Sequence, residues 1–369
     1  MDQGMHQSRP SQKVIALLLV LIPLRLWAQP KKPAEKSLSF FPILMYDTDI
    51  GFGYGGKARF VQYFSRRESL DVILFNSTKG ERWYVLSFSI PDTEIRQGTA
   101  YPLSLDIKVE YDKLLKNYFY GIGPNTQEED LTHFTFEKKE LQVTLGRGFT
   151  PHLVAEAAYV LRHIRYYKVE KDRPFTETLR SVGGKFSPFI TLAVRYDTSD
   201  SQIHPRKGFR VRLQDDLAAG FLGNRDARYN RVTLDARSYS RLLGENSVLA
   251  VRFLVQSISG SRIPIFEMSA LGGGSVLNAM RGYQMNRFQD KAKWLANAEF
   301  RFPVWKRLGG NVFVEAGSVE PSLSGLKVGK PAVDIGWSLR YYLTDFVVRF
   351  DMGFSREGTG IYFNFGHVF

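Results

Sequence analysis

Few of the side chains that usually carry reactions are spaced for one. Six histidines (His6, His133, His152, His163, His204 and His367) never fall at metal-ligand spacing, and no serine sits in a nucleophile elbow. The chain has no cysteine, which excludes thiol nucleophiles, thiolate metal sites, disulfides and a lipidated N-terminal cysteine together. Gly51-Phe52-Gly53-Tyr54-Gly55-Gly56 has the form of a dinucleotide-binding turn. Alternating residues 57–64 follow it instead of a helix, so its glycines read as strand positions where the backbone bends or packs closely. In 325–331 a Gly-Lys pair is followed by Pro331, where a phosphate loop needs Ser or Thr for magnesium. No metal and no cofactor are expected. The chemistry that remains is that of opposed charges: a carboxylate placed in a confined interior is costly unless it is paired.

The elements that hold these charges repeat with period two. In 311–317, Val312, Val314 and Ala316 alternate with Phe313, Glu315 and Gly317. Trp337, Leu339 and Tyr341 alternate with Ser338 and Arg340. Val348, Phe350, Met352 and Phe354 alternate with Val347, Arg349, Asp351 and Gly353. One face is apolar and aromatic, the other polar and often charged. The segments run about 9–14 residues, the length a tilted strand needs to cross a bilayer, whereas strands of soluble sandwiches are nearer 5–6.

Composition agrees with this reading. The 369 residues are 44% hydrophobic and 14% aromatic, which argues against disorder, yet 24% are charged. The longest apolar run, 14–24, has 11 residues, too few for a spanning helix. The net charge of +13 comes from cations scattered along the chain rather than gathered into a stripe, so no nucleic-acid partner is expected. Residues 1–28 read as a secretory signal: Arg9 and Lys13, then the apolar run, then Leu26-Trp27-Ala28. Residues 29–38 would form a short periplasmic segment, too short for a folded module, and 39–369 the barrel.

Strands are expected at 39–47, 51–64, 69–78, 82–91, 101–112, 132–149, 152–168, 177–196, 207–220, 227–241, 245–258, 292–303, 310–318, 332–342, 345–355 and 359–369. That makes an all-β chain, a 16-stranded antiparallel transmembrane β-barrel with both ends on the periplasmic side. Tight turns at Thr150-Pro151, Leu243-Gly244 and Thr344-Asp345 then fall on that side, and the long connections 113–131 and 259–291 fall outside.

Three constellations stand out. Tyr196-Asp197-Thr198-Ser199-Asp200 is followed by Pro205-Arg206-Lys207-Gly208 in an expected periplasmic connection. A self-bonded turn would account for it, with Asp197 and Asp200 bonding nearby amides and Pro205 and Gly208 fixing the turn. The loop 259–291 carries Gly272-Gly273-Gly274 and Met280-Arg281-Gly282-Tyr283. The thirteenth strand carries Glu315 on its polar side. Glu299, Arg301, Arg340, Arg349 and Asp351 are likewise assigned to the lumen.

This ordered set, with Ala298-Glu299-Phe300-Arg301-Phe302-Pro303, the closing residues 360–369 and Tyr120-Gly121-Ile122-Gly123, resembles the barrel of the BamA/TamA superfamily, the bacterial surface antigens. The resemblance implies an outer-membrane barrel whose sixth outer loop folds back into the lumen. It implies that Arg281, at the tip formed with Gly282 and Tyr283, meets Glu315, which stands where aspartate is commoner. A guanidinium can engage a carboxylate bidentately, and Gly282 would let the tip turn tightly. The terminal strand, with Phe365 and Phe369, is similar to the signal by which such barrels are recognised during assembly.

Relatives help insert or translocate proteins, and the resemblance implies the same role here, with no enzymatic activity. The implied partners are outer-membrane lipid, unfolded outer-membrane or exported protein substrates, and a separate periplasmic protein. A passive pore or a structural barrel anchoring a periplasmic partner is the competing reading. A hydrolase assembled from inward polar residues comes third.

Overall fold

A computed structural model of the chain describes residues 36–369 apart from 48–49, 245, 326–329 and 343–346. The expected signal at 1–28 and the Thr344-Asp345 turn lie outside the described residues.

Sixteen strands form one closed antiparallel sheet: β1 Ser37–Asp47, β2 Gly51–Val61, β3 Ser69–Ser77, β4 Arg82–Ile90, β5 Tyr101–Phe119, β6 Thr132–Gly148, β7 Leu153–Tyr167, β8 Phe189–Asp197, β9 Gly208–Ala218, β10 Arg228–Arg241, β11 Val248–Arg262, β12 Ala292–Trp305, β13 Leu308–Glu320, β14 Ala332–Tyr342, β15 Val347–Phe354 and β16 Thr359–Phe365. Each pairs with its neighbours in sequence, and β1 meets β16 to close the ring. Closure of the ring is what lets a sheet stand in lipid with its backbone polar groups satisfied, although here the closing ladder is short.

The alternation in sequence becomes an alternation of faces. Leu44, Leu74, Leu86, Leu145, Leu213, Phe253 and Ile335 are exposed on the outer surface. Arg252, Glu299, Glu315, Arg340 and Asp351 are buried on the inner one. A protein in water would have these faces reversed. One end of the barrel has short connections, such as 149–152 and 306–307. The other carries the longer 120–131 and 263–291. Long connections mark the outer end of such barrels.

Three expectations need correction. The expected eighth strand, 177–196, begins as a helix, α1, Thr176–Val182. Thr176, Leu179 and Val182 are its buried residues, and Leu179 and Val182 pack on Phe119, Phe134, Ile164 and Tyr166. A short piece, Gly184–Phe186, then pairs with β7 before Ser187-Pro188 interrupts the ladder ahead of β8. The fifth strand runs seven residues past its expected end, to Phe119. The last strand stops at Phe365; Gly366 has a φ of +75°, and Val368 and Phe369 turn in against Tyr239, Val248, Ala250 and Ala279.

Candidate functional site

The inner faces of β12–β15 form successive rows of side chains two residues apart. Asn297, Glu315 and Asp334 lie directly opposite one another on β12, β13 and β14. Two carboxylates side by side on one face repel. The next row is Glu299, Phe313, Gly336, Gly353 and Gly360, with three glycines in succession on β14, β15 and β16. Beyond it come Arg301, Asn311, Ser338 and Asp351, and then Arg340 opposite Arg349.

The tip of connection 263–291 meets these rows. Arg281 is fully buried, and both its main chain and its side chain are used. Its amide donates to Glu315 Oε2 at 2.7 Å and its Nε to Glu315 Oε1 at 3.1 Å. Nη2 reaches Glu299 Oε1 at 2.9 Å, and Nη1 reaches Asp351 Oδ1 at 3.2 Å. The guanidinium lies 3.5 Å from the centroid of the Phe313 ring, a cation–π arrangement. Burial opposes the charge on Arg281, but Glu315, Asp351 and Glu299 outweigh it and hold the pKa above its ordinary value. The amide of Gly282 donates to Asp334 Oδ2 at 2.9 Å. The two facing carboxylates are thus each bound by one amide of the tip.

The glycine row explains how the tip fits. A Cβ on Gly360 would lie 2.1 Å from the Arg281 carbonyl oxygen, and one on Gly353 would lie 2.4 Å from the Arg281 carbonyl carbon. Gly336 leaves room for the Phe313 ring, which a Cβ would meet at 2.2 Å. Gly282 sits in the expected tight turn, where the Tyr283 amide donates to the Met280 carbonyl at 3.1 Å. It also permits close approach, since a Cβ there would sit 2.7 Å from the Phe354 carbonyl carbon and 2.8 Å from the Ser355 nitrogen. Tyr283 is buried among Leu254, Leu271, Met280, Phe288, Leu295 and Val319.

The remaining lumenal ions continue the network. Glu299 accepts from Arg340 at 3.0 Å and from Arg301 at 2.8 Å. Asp351 accepts from Ser338 and pairs with Arg349 at 3.1 Å. Arg301 also donates to the main-chain oxygen of Phe369 at 3.0 Å. Strand ends and chain end are therefore tied to the same cluster.

Residues that sequence reasoning missed hold the rest of the connection. Glu267 accepts from Arg162 of β7 at 2.9 Å and from Arg231 of β10 at 2.7 Å. Burial pushes its pKa up, but the two guanidinium groups bring it below the usual carboxylate value. Lys293 donates to the carbonyls of Ala270 and Leu277 and to Asn278. Arg287 grips Glu357 and Thr126. The available signal was alternation itself: each of Arg162, Arg231 and Lys293 stands at a polar position of its strand.

The periplasmic motif forms a self-bonded turn. Asp197 accepts from Ser199 and from Arg210 at 2.8 Å, and Asp200 accepts from the amides of Arg206 and Lys207. Gly208 has a φ of +99°, and its Cβ would lie 2.4 Å from the Thr198 oxygen. Pro205 is buried. Of the two closing aromatics, Phe365 ends β16, and Phe369 lies inside the barrel beneath Arg301.

Residues 69–369 match the family model described as the Omp85 superfamily domain. The chain belongs to the Omp85 superfamily. Solved barrels share its fold. BamA from Haemophilus ducreyi lacking POTRA domains 1–3 matches with a TM-score of 0.66 and 13% identity over 90% of this chain and 70% of that one. CdiB from Escherichia coli gives 0.62 and 10% over 92% and 63%, and CdiB from Acinetobacter baumannii 0.57 and 13% over 90% and 60%. The chain therefore spans less than two thirds of either CdiB. No curated protein matches it. An Omp85 barrel with an apolar outer face and a charged interior is a bacterial outer-membrane protein.

Proposed function

We propose that this Omp85 barrel handles polypeptide at its seam, accepting a strand of an outer-membrane or exported protein on the edge of β1 while the tip of connection 263–291 is locked into the lumen by Arg281. The observation that carries the reading is the shortness of the closing ladder. β1 and β16 share two partner pairs, Tyr46↔Phe363 and Asp47↔Tyr362, although β1 pairs with β2 along all 11 of its residues. The rest of β1, toward Ser37, lies outside the β16 ladder, and the chain beyond Phe365 curls inward at Gly366 instead of extending it. A short antiparallel ladder is cheap to open and leaves an edge that an extended segment can augment.

Against a passive pore stand the buried ions. Arg281, Arg340, Glu299 and Asp351 have no solvent-exposed surface, and groups lining an open aqueous channel are wet.

A cysteine pair tests the seam directly, because the chain has no other thiol. Tyr46→Cys with Phe363→Cys places the pair at directly opposed positions. With the disulfide formed, liposomes containing the protein are expected to lose insertion of an unfolded barrel substrate and to regain it on reduction. Equal insertion by the oxidised and reduced protein would remove the seam from the mechanism.

A further inference from the structure

The outer face of β4–β7 carries an ordered chemical gradient that neither the seam nor the lumenal cluster uses. Its rows can be read from the pairing. Ile90, Leu105, Leu145 and Ala157 form one row, Phe88, Ile107, Val143 and Tyr159 the next, and Leu86, Val109, Leu141 and Leu161 the third. Leu86, Val109, Leu141 and Leu145 are exposed, which places all three rows against lipid.

Two residues further along the strands the row becomes Tyr84, Tyr111, Lys139 and His163. Two further still it is Arg82, Lys113, Glu137 and Arg165. These residues share the parity of the aliphatic rows and so face outward as well. They stand at the end of the barrel that carries connection 120–131, the outer end.

The last row spans four strands, about 14 Å at the usual inter-strand spacing. Glu137 is the one carboxylate in the two polar rows, set among Arg82, Lys113, Lys139 and Arg165. It is engaged by Lys139 at 3.5 Å and by the Tyr167 hydroxyl at 3.0 Å. The Arg165 guanidinium and the Lys113 ammonium lie 5.3 and 5.7 Å from the centroid of the Tyr167 ring, so one ring gathers both cations. Tyr84 stacks on Tyr111 at 5.8 Å. An aromatic layer over aliphatic rows marks where hydrocarbon gives way to headgroups. The excess of cations there calls for anions that sit at that depth and extend along the row.

We propose that this ledge binds a multiply phosphorylated lipid headgroup of the outer leaflet. Arg82, Lys113 and Arg165 take phosphate oxygens, Tyr84 and Tyr111 cover the glycerol or sugar region, and the Leu86–Leu161 row takes the acyl chains. Guanidinium groups suit phosphate because they can donate two parallel bonds, and cations near an anionic membrane surface each add to its attraction.

The test uses the whole folded chain in detergent, titrated with diphosphoryl lipid A and read by native mass spectrometry. The triple variant Arg82→Gln, Lys113→Gln, Arg165→Gln is expected to weaken lipid retention by at least about tenfold. A control triple, Arg225→Gln, Arg228→Gln, Arg262→Gln, removes exposed cations at the outer ends of β10 and β11 and is expected to leave retention unchanged. Lipid A stripped of its phosphates is expected to bind weakly to parent and variant alike. Heat-modifiability on semi-native gels confirms that each variant is folded. Equal retention by parent and ledge variant, equal loss in the control triple, or undiminished binding of the dephosphorylated lipid would each overturn the proposal. So would displacement of the lipid by inorganic phosphate at equal concentration, which would mark a site for a soluble anion.

Discussion

The inner wall of β12–β15 and the seam between β1 and β16 belong to the same sheet and are built on opposite plans. At the wall, four acids and four arginines from four strands and one connection are drawn into contact without solvent. At the seam the ladder stops after two pairs, and the chain end bends away. The last quarter of the barrel is thus held by its own long ladders and by the connection seated against the wall, and the closing ladder is the short one.

The comparison is broken most directly at Arg281. Arg281→Ala removes the guanidinium shared by Glu315, Glu299 and Asp351, and loss of one member of a buried ion cluster costs about 3–5 kcal/mol. The variant is expected to lose heat-modifiability on semi-native gels and to be cut within 263–291 by protease. An unchanged gel shift and cleavage pattern would mean that the wall does not depend on the tip.

Gly353→Val leaves every charge in place and pushes a side chain into the Arg281 main chain. Overpacking of about 1–3 kcal/mol is expected, with the same new protease site but a smaller loss of thermal stability. Arg301→Gln removes the bonds to Glu299 and Phe369 while leaving Arg340 and Arg281 on Glu299. A cost of roughly 1–2 kcal/mol is expected in denaturant unfolding from micelles, together with freer hydrogen exchange of residues 366–369. At the seam, Tyr46→Ala is expected to change unfolding by less than about 1 kcal/mol, since a residue outside the core and outside any network has little to lose. A large effect there would erase the contrast.

Much of this architecture was legible because alternation is a direct consequence of the pleat. The strand number, the outer and inner faces and the two long connections follow from which residues share a face, whereas the meeting of Arg281 with Glu315 came from the family resemblance, since Arg281 lies on a connection and shares no strand face. What alternation could not show was anything set by distance. Gly336, Gly353 and Gly360 look in sequence like weak strand positions, and only the register reveals that they stand side by side and leave space for a main chain. Asp334 reads as one more polar strand residue until β14 is laid against β13 and places it opposite Glu315. The expected strand at 177–196 begins instead as a helix, in which Leu179 and Val182, three residues apart, share the buried face. The chain end was extended to Phe369 because the apolar alternation runs on past Gly366, whose left-handed backbone halts the strand.

The four acids around the tip come from different strands: Glu299 from β12, Glu315 from β13, Asp334 from β14 and Asp351 from β15. None of the last hairpins alone offers Arg281 and Gly282 a complete set of acceptors. Seating of the tip therefore requires β12, β13, β14 and β15 all in register, and a misaligned hairpin leaves a guanidinium without its full complement.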